Sequence, residues 1–502
     1  MAIPKAVASS VKTPGLYLVV NLLGSPAAPG TSPLRALLMA PKSSAGNITA
    51  QTEVRQCFGA TEVGVALGPG TPGHLAAKRL FQRFGLASLD VIAPSASAGV
   101  AATGTQTFTG PPSETTAIRF RVHGRIVDVS WLSGESVAVF QARAVLAINA
   151  LADDLAVTAG GASPSVLYTA KLAGAWGNDV KIAASILVGG AGTTISANPV
   201  ALTGGTLEPI YTTALSQVVT REYARIVACL SNADATDATS ASNGELLALQ
   251  IAAFSTGLGA LLQVGVIGHT GTIANAKAGA IDRNSVAVQM PYGQNWNDLP
   301  CELAGAEAGD ALRCITLRAN FNRIGNVHTL YGPTDLVADK LTPAEAEDLL
   351  NNGVTPLDVD QSTGVPYLVR PITTHSLASS APDYRCLDLS DTDGMYAVFR
   401  DLRTALPQEF ANASISPNLP PGADPLPPGV VELKDVRQFV LSRLQFWTRL
   451  GVVNKTALDA SIANNDLIFE IDSGDGSQVN IFLPLSILKP LAKFGVVGSK
   501  AA

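Results

Sequence analysis

The sequence is poor in charge. Asp, Glu, Lys and Arg make up 15% of it, against about 25% in an average soluble protein, while 47% is hydrophobic and the mean hydropathy is +0.26. A surface so thinly charged either lies hidden against partner subunits or invites association, because charged faces keep monomers apart. Basic runs are missing too: 34 Lys and Arg stand against 40 Asp and Glu, none clustered among aromatics, which disfavours a nucleic-acid partner. Cysteines are few, odd in number and scattered, at Cys57, Cys229, Cys301, Cys314 and Cys386. With no Cys-x-x-Cys pair they make neither a disulfide framework nor a structural zinc site, and they read as reduced core residues of a cytosolic protein. No two of the five histidines fall at metal-ligand spacing, and the acids are too dispersed to nominate a catalytic carboxylate pair. Gly-Lys-Ser/Thr, the core of a Walker-type phosphate loop, does not occur. The expectation is a protein with no cofactor, no metal and no enzymatic activity.

Long apolar runs are nearly as scarce. The N-terminus offers Lys5 and a short patch from Leu16 to Val20, broken by Pro14 and Asn21, which does not read as a secretory leader. Residues 246–268 carry no charge and match the length of a membrane span. Gln250, Ser255, Thr256, Gly257, Gly259 and Gln263 interrupt that run, so it reads as an amphipathic helix followed by a buried strand over 261–267, with no membrane insertion.

What is present is a long alternation of short elements. At 502 residues the chain exceeds what one core holds, so two to four domains are expected. Leu16-Tyr-Leu-Val-Val20 is a strand-like run between Pro and Gly flanks, with no hairpin partner nearby. Its backbone groups must be satisfied far away, in its own core or in a neighbouring chain. Strands over 35–39 and 89–93 enclose a helix over 74–84, one α/β unit. Residues 99–205 change character to Thr, Ser, Gly and Val with period-two runs at 117–122 and 126–131, a mainly β insertion with one helix over 136–154. After Leu207, strands over 224–230, 261–267 and 285–289 alternate with helices near 244–254 and 273–281, the pattern of parallel strands with crossover helices. Thr342-Pro-Ala-Glu345 spells a helix start, with Thr342 as cap, Pro343 at the first helical position, Glu345 closing a capping box and Gly353 as the stop.

The last third begins with a hairpin over 356–373 turning at Ser362-Thr-Gly364. Two amphipathic helices follow, separated by a Pro-rich connection over 407–428. The first is capped near Ser390 and aligns Met395, Val398, Phe399, Leu402 and Leu406; the second aligns Leu433, Val436, Val440, Leu444 and Trp447 and stops at Gly451. A strand pair at 467–471 and 478–483 and a trailing arm close the chain.

Three motifs invite a chemical reading, and each has a plainer one. Gly68-Pro-Gly-Thr-Pro-Gly73 ahead of a helix has the Gly-x-Gly-x-x-Gly spacing of a pyrophosphate loop. Pro69 and Pro72 remove amide donors that a phosphate needs, and Asp90 stands at the front of the next strand rather than at its end, so a plain loop is expected. His269, in Gly268-His-Thr-Gly-Thr272, and His375, in Ile372-Thr-Thr-His-Ser376, sit at element ends where a triad histidine belongs. Neither is accompanied by a Gly-x-Ser-x-Gly or Gly-Thr-Ser nucleophile turn. Both are expected to be hydrogen-bonded loop histidines.

Several segments taken in order resemble the contractile tail sheath proteins of bacteriophages, within them most the Mu-like group. Thr13-Pro-Gly-Leu-Tyr17 resembles the Pro-Gly-Val-Tyr opening of that family, and residues 74–93 resemble its helix, Phe-Gly and strand segment. Ala175-Trp-Gly-Asn-Asp-Val-Lys181 and Leu202-Thr-Gly-Gly205 follow in the expected order. Leu341-Thr-Pro-Ala-Glu345, Asn352-Gly-Val-Thr-Pro356, Val369-Arg-Pro-Ile-Thr-Thr-His375 and Asp383-Tyr-Arg-Cys-Leu-Asp388 resemble its C-terminal stretch. Gly309-Asp-Ala-Leu-Arg-Cys-Ile315 departs from it, where the family more often shows an Asp-Pro-Ala-Arg-Pro-like run.

The resemblance implies an α/β, multi-domain α+β architecture: a subtilisin-like core, without catalytic function, carrying an inserted mainly β domain and extended arms. The expected divisions are an N-terminal arm over 1–30, the first part of the core over 31–98 and the outer domain over 99–205. A sheath domain over 206–375, a C-terminal domain over 376–478 and a terminal strand and arm over 479–502 follow. The implied function is a subunit that polymerises as stacked hexameric rings around a tail tube and contracts to drive the tube through a host envelope. Implied partners are other copies of the chain, the tail tube protein, and baseplate and tail terminator proteins; the implied location is a virion tail assembled in host cytoplasm. Arm strands that pair between subunits would be carried by Leu16, Tyr17, Leu18, Val19 and Val20 at one end and Val479, Ile481 and Leu483 at the other. The sheath of a phage-derived bacteriocin or secretion machine shares these features, and an α/β hydrolase using His269 is the alternative of a different class.

Overall fold

The computed structural model describes residues 17–18, 35–218, 221–237, 239, 241–255, 257–258, 260–316, 321–379, 381–384, 387–420 and 426–489. Leu16, Val19, Val20 and Cys386 lie outside them. The chain folds as a mixed α/β protein of several layers, as the alternation of short strands and helices predicts.

Its first elements are β1 (Tyr17–Leu18), β2 (Ala36–Met39), β3 (Arg55–Cys57), α1 (Ala60–Leu67), α2 (Pro72–Arg83) and β4 (Leu89–Ile92). An outer module then interrupts the α/β sequence. It comprises β5 (Thr103–Thr109), β6 (Thr116–Val122), β7 (Arg125–Trp131), α3 (Val137–Asn149), β8 (Val157–Gly160), β9 (Ser165–Ala170), β10 (Lys181–Ile186), β11 (Thr194–Ser196) and β12 (Val200–Ala201). These strands make two antiparallel four-stranded sheets, ordered β12-β10-β6-β7 and β11-β5-β9-β8. Period-two patterning does what it must: Ile118, Phe120 and Val122 turn inward while Arg119 and Arg121 stay outside. Phe108, Phe120 and Phe140 pack edge-on and stacked between the two sheets, and Trp131 stacks on Phe140 at 4.2 Å. The helix expected over 136–154 ends at Asn149, and a separate 3-10 turn, Ala152–Asp154, follows it.

The α/β part resumes with α4 (Thr212–Val218), β13 (Arg225–Ala228), α5 (Asn232–Thr236), α6 (Asn243–Phe254), β14 (Gly257–Leu258), β15 (Gly265–Val266), α7 (Ile273–Arg283) and β16 (Val288–Gln289). The principal sheet runs β16-β15-β13-β2-β4-β3, parallel throughout except for β3. Successive residues of its strands enter opposite cores. Ala36, Leu38, Val91 and Val227 meet Leu75, Ala76, Leu80 and Leu312 on one face, a core continuous with the interior of the outer module. Leu37, Met39, Ile92, Ile226 and Ala228 meet Leu215, Leu247, Ile251, Met395 and Tyr396 on the other. Burial on both faces is why these strands read as unbroken apolar runs. The strand expected over 261–267 is shorter: its sheet bonds run over 264–267, while the Leu262 carbonyl accepts from Arg400 instead of from a neighbouring strand.

Next come β17 (Pro291–Tyr292), α8 (Pro300–Thr316), α9 (Pro343–Asn351), β18 (Thr355–Val359), β19 (Pro366–Leu368), β20 (Leu377–Ala378) and β21 (Ala381–Pro382). The α9 capping box forms as its sequence dictates, with Thr342 Oγ1 accepting from Glu345 N and Glu345 Oε2 accepting from Thr342 N. Helix α8 was not expected from the sequence and is the most enclosed helix of the core. It crosses α2 so closely that a Cβ on Gly305 or Gly309 would overlap the carbonyl oxygens of Ala76 and Leu80. Those glycines each cost about 1 kcal/mol of helix propensity and are tolerated because only they permit the approach.

The chain closes with α10 (Leu389–Glu409), β22 (Ser414–Ser416), β23 (Val430–Glu432), α11 (Leu433–Arg449), α12 (Lys455–Ala463), β24 (Ile468–Ile471) and β25 (Val479–Phe482). Asp388, two residues before the expected Ser390, stands at the N-cap position of α10 without a side-chain capping bond. Val398, Leu402, Val440, Leu444 and Trp447 form the shared core of α10 and α11. Among the described residues no helix is long and apolar enough to cross a membrane.

Candidate functional site

In a doubly wound parallel sheet the ligand crevice opens outside the carboxyl ends of the two strands from which the chain winds in opposite directions. Here that place lies between β2 and β13, since β4 flanks β2 on one side and β13 on the other. Tyr211 fills it. The ring is buried, and its hydroxyl donates to the Cys229 carbonyl at 2.8 Å and lies 3.4 Å from the Met39 carbonyl. Asn243 fixes the approach, its Oδ1 accepting from Tyr211 N at 3.1 Å and its Nδ2 donating to the Pro209 carbonyl at 2.8 Å. Burial holds the Tyr211 phenol well above its ordinary pKa, so it is a neutral donor. The carbonyl ends that would line a ligand crevice are thus turned to a side chain of the protein itself.

The three motifs singled out in the sequence resolve as their plainer readings. His269 is buried at the end of β15, its Nδ1 accepting from Gly271 N at 3.1 Å and its Nε2 standing 3.1 Å from Thr236 Oγ1. A backbone amide at Nδ1 fixes the Nε2–H tautomer and occupies the atom that a triad acid would orient. Burial and the nearby Arg283 hold the imidazole neutral, with its pKa lowered to about 4. His375 Nε2 pairs with Asp383 Oδ2 at 3.2 Å, and its Nδ1 lies 3.5 Å from the Asn284 carbonyl. In the Gly68–Gly73 loop the amides are already used: Gly68 N donates to the Gly64 carbonyl, Gly70 N to His74 Nδ1 at 2.9 Å, and Thr71 N to the Gly68 carbonyl. Asp90 sits inside β4, fully buried, where Arg35, Arg221 and Tyr223 all donate to it. Among the described residues no group of three or more His, Cys, Asp or Glu is placed to hold a metal ion. Cys57, Cys229, Cys301 and Cys314 are free and buried.

Chemistry is instead concentrated at seams between parts of the chain. The turn joining β6 to β7, His123-Gly124, has positive φ at both residues and reaches across to the α/β core. His123 pairs with Glu302 of α8, and Gly124 lies so tightly on the Tyr331 ring that a Cβ there would overlap it. Arg79 of α2 ties this cluster together, donating to Glu302 Oε1 at 2.9 Å, Asp298 Oδ1 at 2.8 Å and the Thr329 carbonyl at 2.7 Å beneath the Tyr331 ring. Burial works to raise the Glu302 pKa, but His123 and Arg79 beside it outweigh that and hold the carboxyl down at about 2. Lys78 and Arg125 both reach Asp154 along the same seam, at 2.8 and 2.9 Å.

A second network joins the sheet to the C-terminal helices. Arg225 of β13 grips both oxygens of Asp393 on α10 at 2.7 and 2.6 Å. Arg323 donates to Glu307 Oε2 at 2.7 Å and stands 4.0 Å from Asp393. Gln289 of β16 also donates to Glu307 Oε2, and His328 Nε2 lies 3.0 Å from its Oε1. None of Arg79, Glu302, Arg323 or Glu307 was singled out from the sequence, because a charged residue bears no mark of being buried.

The remaining candidate positions are at the chain ends. Tyr17 and Leu18 pair antiparallel with Leu258 and Gly257 of the same chain. Val479 and Ile481 lie on β25 opposite Ile471 and Phe469 of β24, and Leu483 follows the strand, all three half-buried. Each of these ladders is a two-stranded sheet among the described residues.

No family model and no curated relative matches the chain. Two of the solved structures that it is similar to are tail proteins. One is the sheath tail protein Lin1278 of Listeria innocua, at 14% identity over 85% of this chain and 87% of that one, with a TM-score of 0.41. The other is a chain of the anti-feeding prophage baseplate, at 11% identity over 98% of this chain and 100% of that one, with a TM-score of 0.43.

Proposed function

We propose that this chain is a structural subunit of a contractile sheath of the Mu-like kind, polymerising as stacked hexameric rings around a tail tube. The observation that carries the reading is the terminal β24–β25 ribbon. A two-stranded sheet is marginal in water, yet this one holds Ile468, Phe469, Val479, Ile481 and Leu483 only half-buried. Its outer edges have no partner strand among the described residues. Such a ribbon is completed by a strand from another copy, with main-chain hydrogen bonds supplying strength and alternate side chains supplying register. The low overall charge agrees with large surfaces buried between copies. The crevice closed by Tyr211 and the amide-bound His269 support a structural role over hydrolysis.

The decisive measurement is negative-stain microscopy of the purified chain at rising concentration. Hollow tubes or stacked rings are expected. Uniform small particles at every concentration, with and without a tube protein, would overturn the proposal. Tail tube, baseplate and terminator partners belong to the same proposal and are tested by co-sedimentation with the tubes.

A further inference from the structure

We infer that residues 204–209, in one of the two connections between the outer module and the α/β core, form a latch that Glu208 holds shut while protonated and opens on ionising. The segment lies at the surface against the other connection. Thr206 N donates to the Val100 carbonyl at 3.3 Å, Ser97 Oγ donates to the Leu207 carbonyl at 2.9 Å, and Asn178 exchanges two hydrogen bonds with Gly205 at 3.0 and 3.1 Å. Leu207 is 62% exposed and has a φ of +57°, a left-handed conformation that a leucine keeps only while its neighbours hold it. Glu208 follows as the segment's one charged residue, and its Oε1 is buried with no hydrogen-bond partner among the described residues.

The surroundings of that carboxyl suit its neutral form. Ser231 and Asp234 of α5 face it, as do Asp179 at the end of the outer module's 3-10 turn Ala175–Asp179 and Tyr211 on its own connection. Asn232 N and Nδ2 both donate to Asp179 at 2.9 Å, and Asn243 N and Nδ2 donate to Asp234 at 3.2 and 2.9 Å, which fixes both neighbouring acids in place. The cations of the cluster serve those acids, Lys181 near Asp179 and Arg283 near Asp234. Burial first, and then Asp234 and Asp179, push the Glu208 pKa up to about 7 against the Ser231 hydrogen bond. An opening that returns the group to water returns it to an ordinary 4.5. With the closed-state value the higher of the two, the closed state has its full advantage below 4.5 and loses it as pH rises through about 7. The opening constant climbs by up to about tenfold per pH unit in that window and levels off above it, which amounts to about twentyfold between pH 5.5 and 7.5. The latch is internal to one chain and works whether or not the chain assembles.

The test is native-state cleavage of the full chain by thermolysin, which cuts before leucine, with products 1–206 and 207–502 identified by mass. Each rate is divided by that of a free peptide spanning residues 203–211 of the same sequence, and protease is kept low so that cleavage follows the open population. The normalised rate at Leu207 is expected to rise about twentyfold from pH 5.5 to 7.5 and to level off above. Glu208→Gln should hold it at the low value throughout. Asp179→Asn removes a repelling neighbour and should move the levelling-off to lower pH with Glu208 still in place, a shift that a merely structural role of Asp179 would not produce. A normalised rate flat with pH in the native chain, the same rise in Glu208→Gln, or no cut at Leu207 at any pH would each overturn the latch.

Discussion

Glu307→Gln is the most informative single change to the body of the protein. Glu307 is fully buried on α8 and accepts from Arg323 Nη1 at 2.7 Å and Gln289 Nε2 at 2.7 Å, with His328 Nε2 3.0 Å away. Gln keeps the shape and removes the charge, leaving the buried Arg323 guanidinium only more distant carboxylates, Asp393 at 4.0 Å and Asp310. Breaking a buried pair from one side costs about 3–5 kcal/mol. With each kcal/mol worth about 2–4 °C in a domain of 150–250 residues, the first thermal transition should fall by about 10 °C at pH 7. Burial alone would raise the Glu307 pKa, but Arg323, His328 and Gln289 bring it down to about 2, from an ordinary 4.5. A carboxylate with a depressed folded pKa stabilises fully above its unfolded value and loses that contribution as pH falls through the folded one. The gap between wild type and variant should therefore be full at pH 6–7 and close as pH falls from about 4.5 toward 2. Differential scanning fluorimetry across that range reads it directly. Adding Arg323→Met should restore part of the loss, because the stranded charge goes with it. A Glu307→Gln melting point within about 2 °C of wild type at pH 7, the scatter of a neutral surface change, would refute the reasoning.

Three further perturbations test other parts. Glu208 is raised to about 7, by burial first and by Asp234 and Asp179 nearby, against a Ser231 hydrogen bond that lowers it; stability from this group is lost as pH rises from about 4.5 through 7, so Glu208→Gln should raise the melting temperature at pH 8 and leave it unchanged at pH 5. Gly305→Ala forces a Cβ onto the Ala76 carbonyl and should destabilise by about 1–3 kcal/mol in spite of the gain in helix propensity, as read by denaturant midpoint. Gly124→Ala combines φ of +73° with overlap on the Tyr331 ring and should cost about 2–4 kcal/mol at the seam, exposing Lys78 and Arg79 to faster tryptic cleavage while the outer module stays folded.

The principal sheet was legible because strands buried on both faces leave unbroken apolar runs such as Ala36-Leu-Leu-Met39. Helix α9 was legible because a capping box is local chemistry, complete within Thr342 to Glu345. Helix α8 was not, for the opposite reason: its apolar stripe, Cys301, Ala304, Ala308 and Leu312, is mostly small residues, and its acids Glu302, Glu307 and Asp310 look like a solvated face until Arg79, Arg323 and Arg83 are placed against them. Tyr211 left no trace either, since it binds main-chain carbonyls, which every sequence supplies. Helices α1 and α12 went unassigned because each is short and flanked by Gly or Asn that reads equally well as loop. The N-terminal strand was recognisable as a strand, but its acceptor, two residues after α6, carries no pairing code.

The scarcity of charge in the sequence is sharper on the surface than the composition suggests, because so much of the charge is inside. Arg79, Arg225, Arg323, Asp90, Asp298, Glu302, Glu307, Asp310 and Asp393 are all buried, and all lie where one part of the chain meets another. Each such seam is specific in a way that apolar packing is not: separating its halves strands a charge, at a cost of several kcal/mol per ion. Ladders of backbone hydrogen bonds behave in the contrary way. They are nearly indifferent to sequence, net about 1 kcal/mol per bond, and re-form with any extended strand of matching register. This chain places buried ion pairs between its modules and, among the described residues, two-stranded ladders toward its ends. Under the proposed function, the ion pairs would keep the subunit together as one body and the ladders would be the parts that pair with other copies.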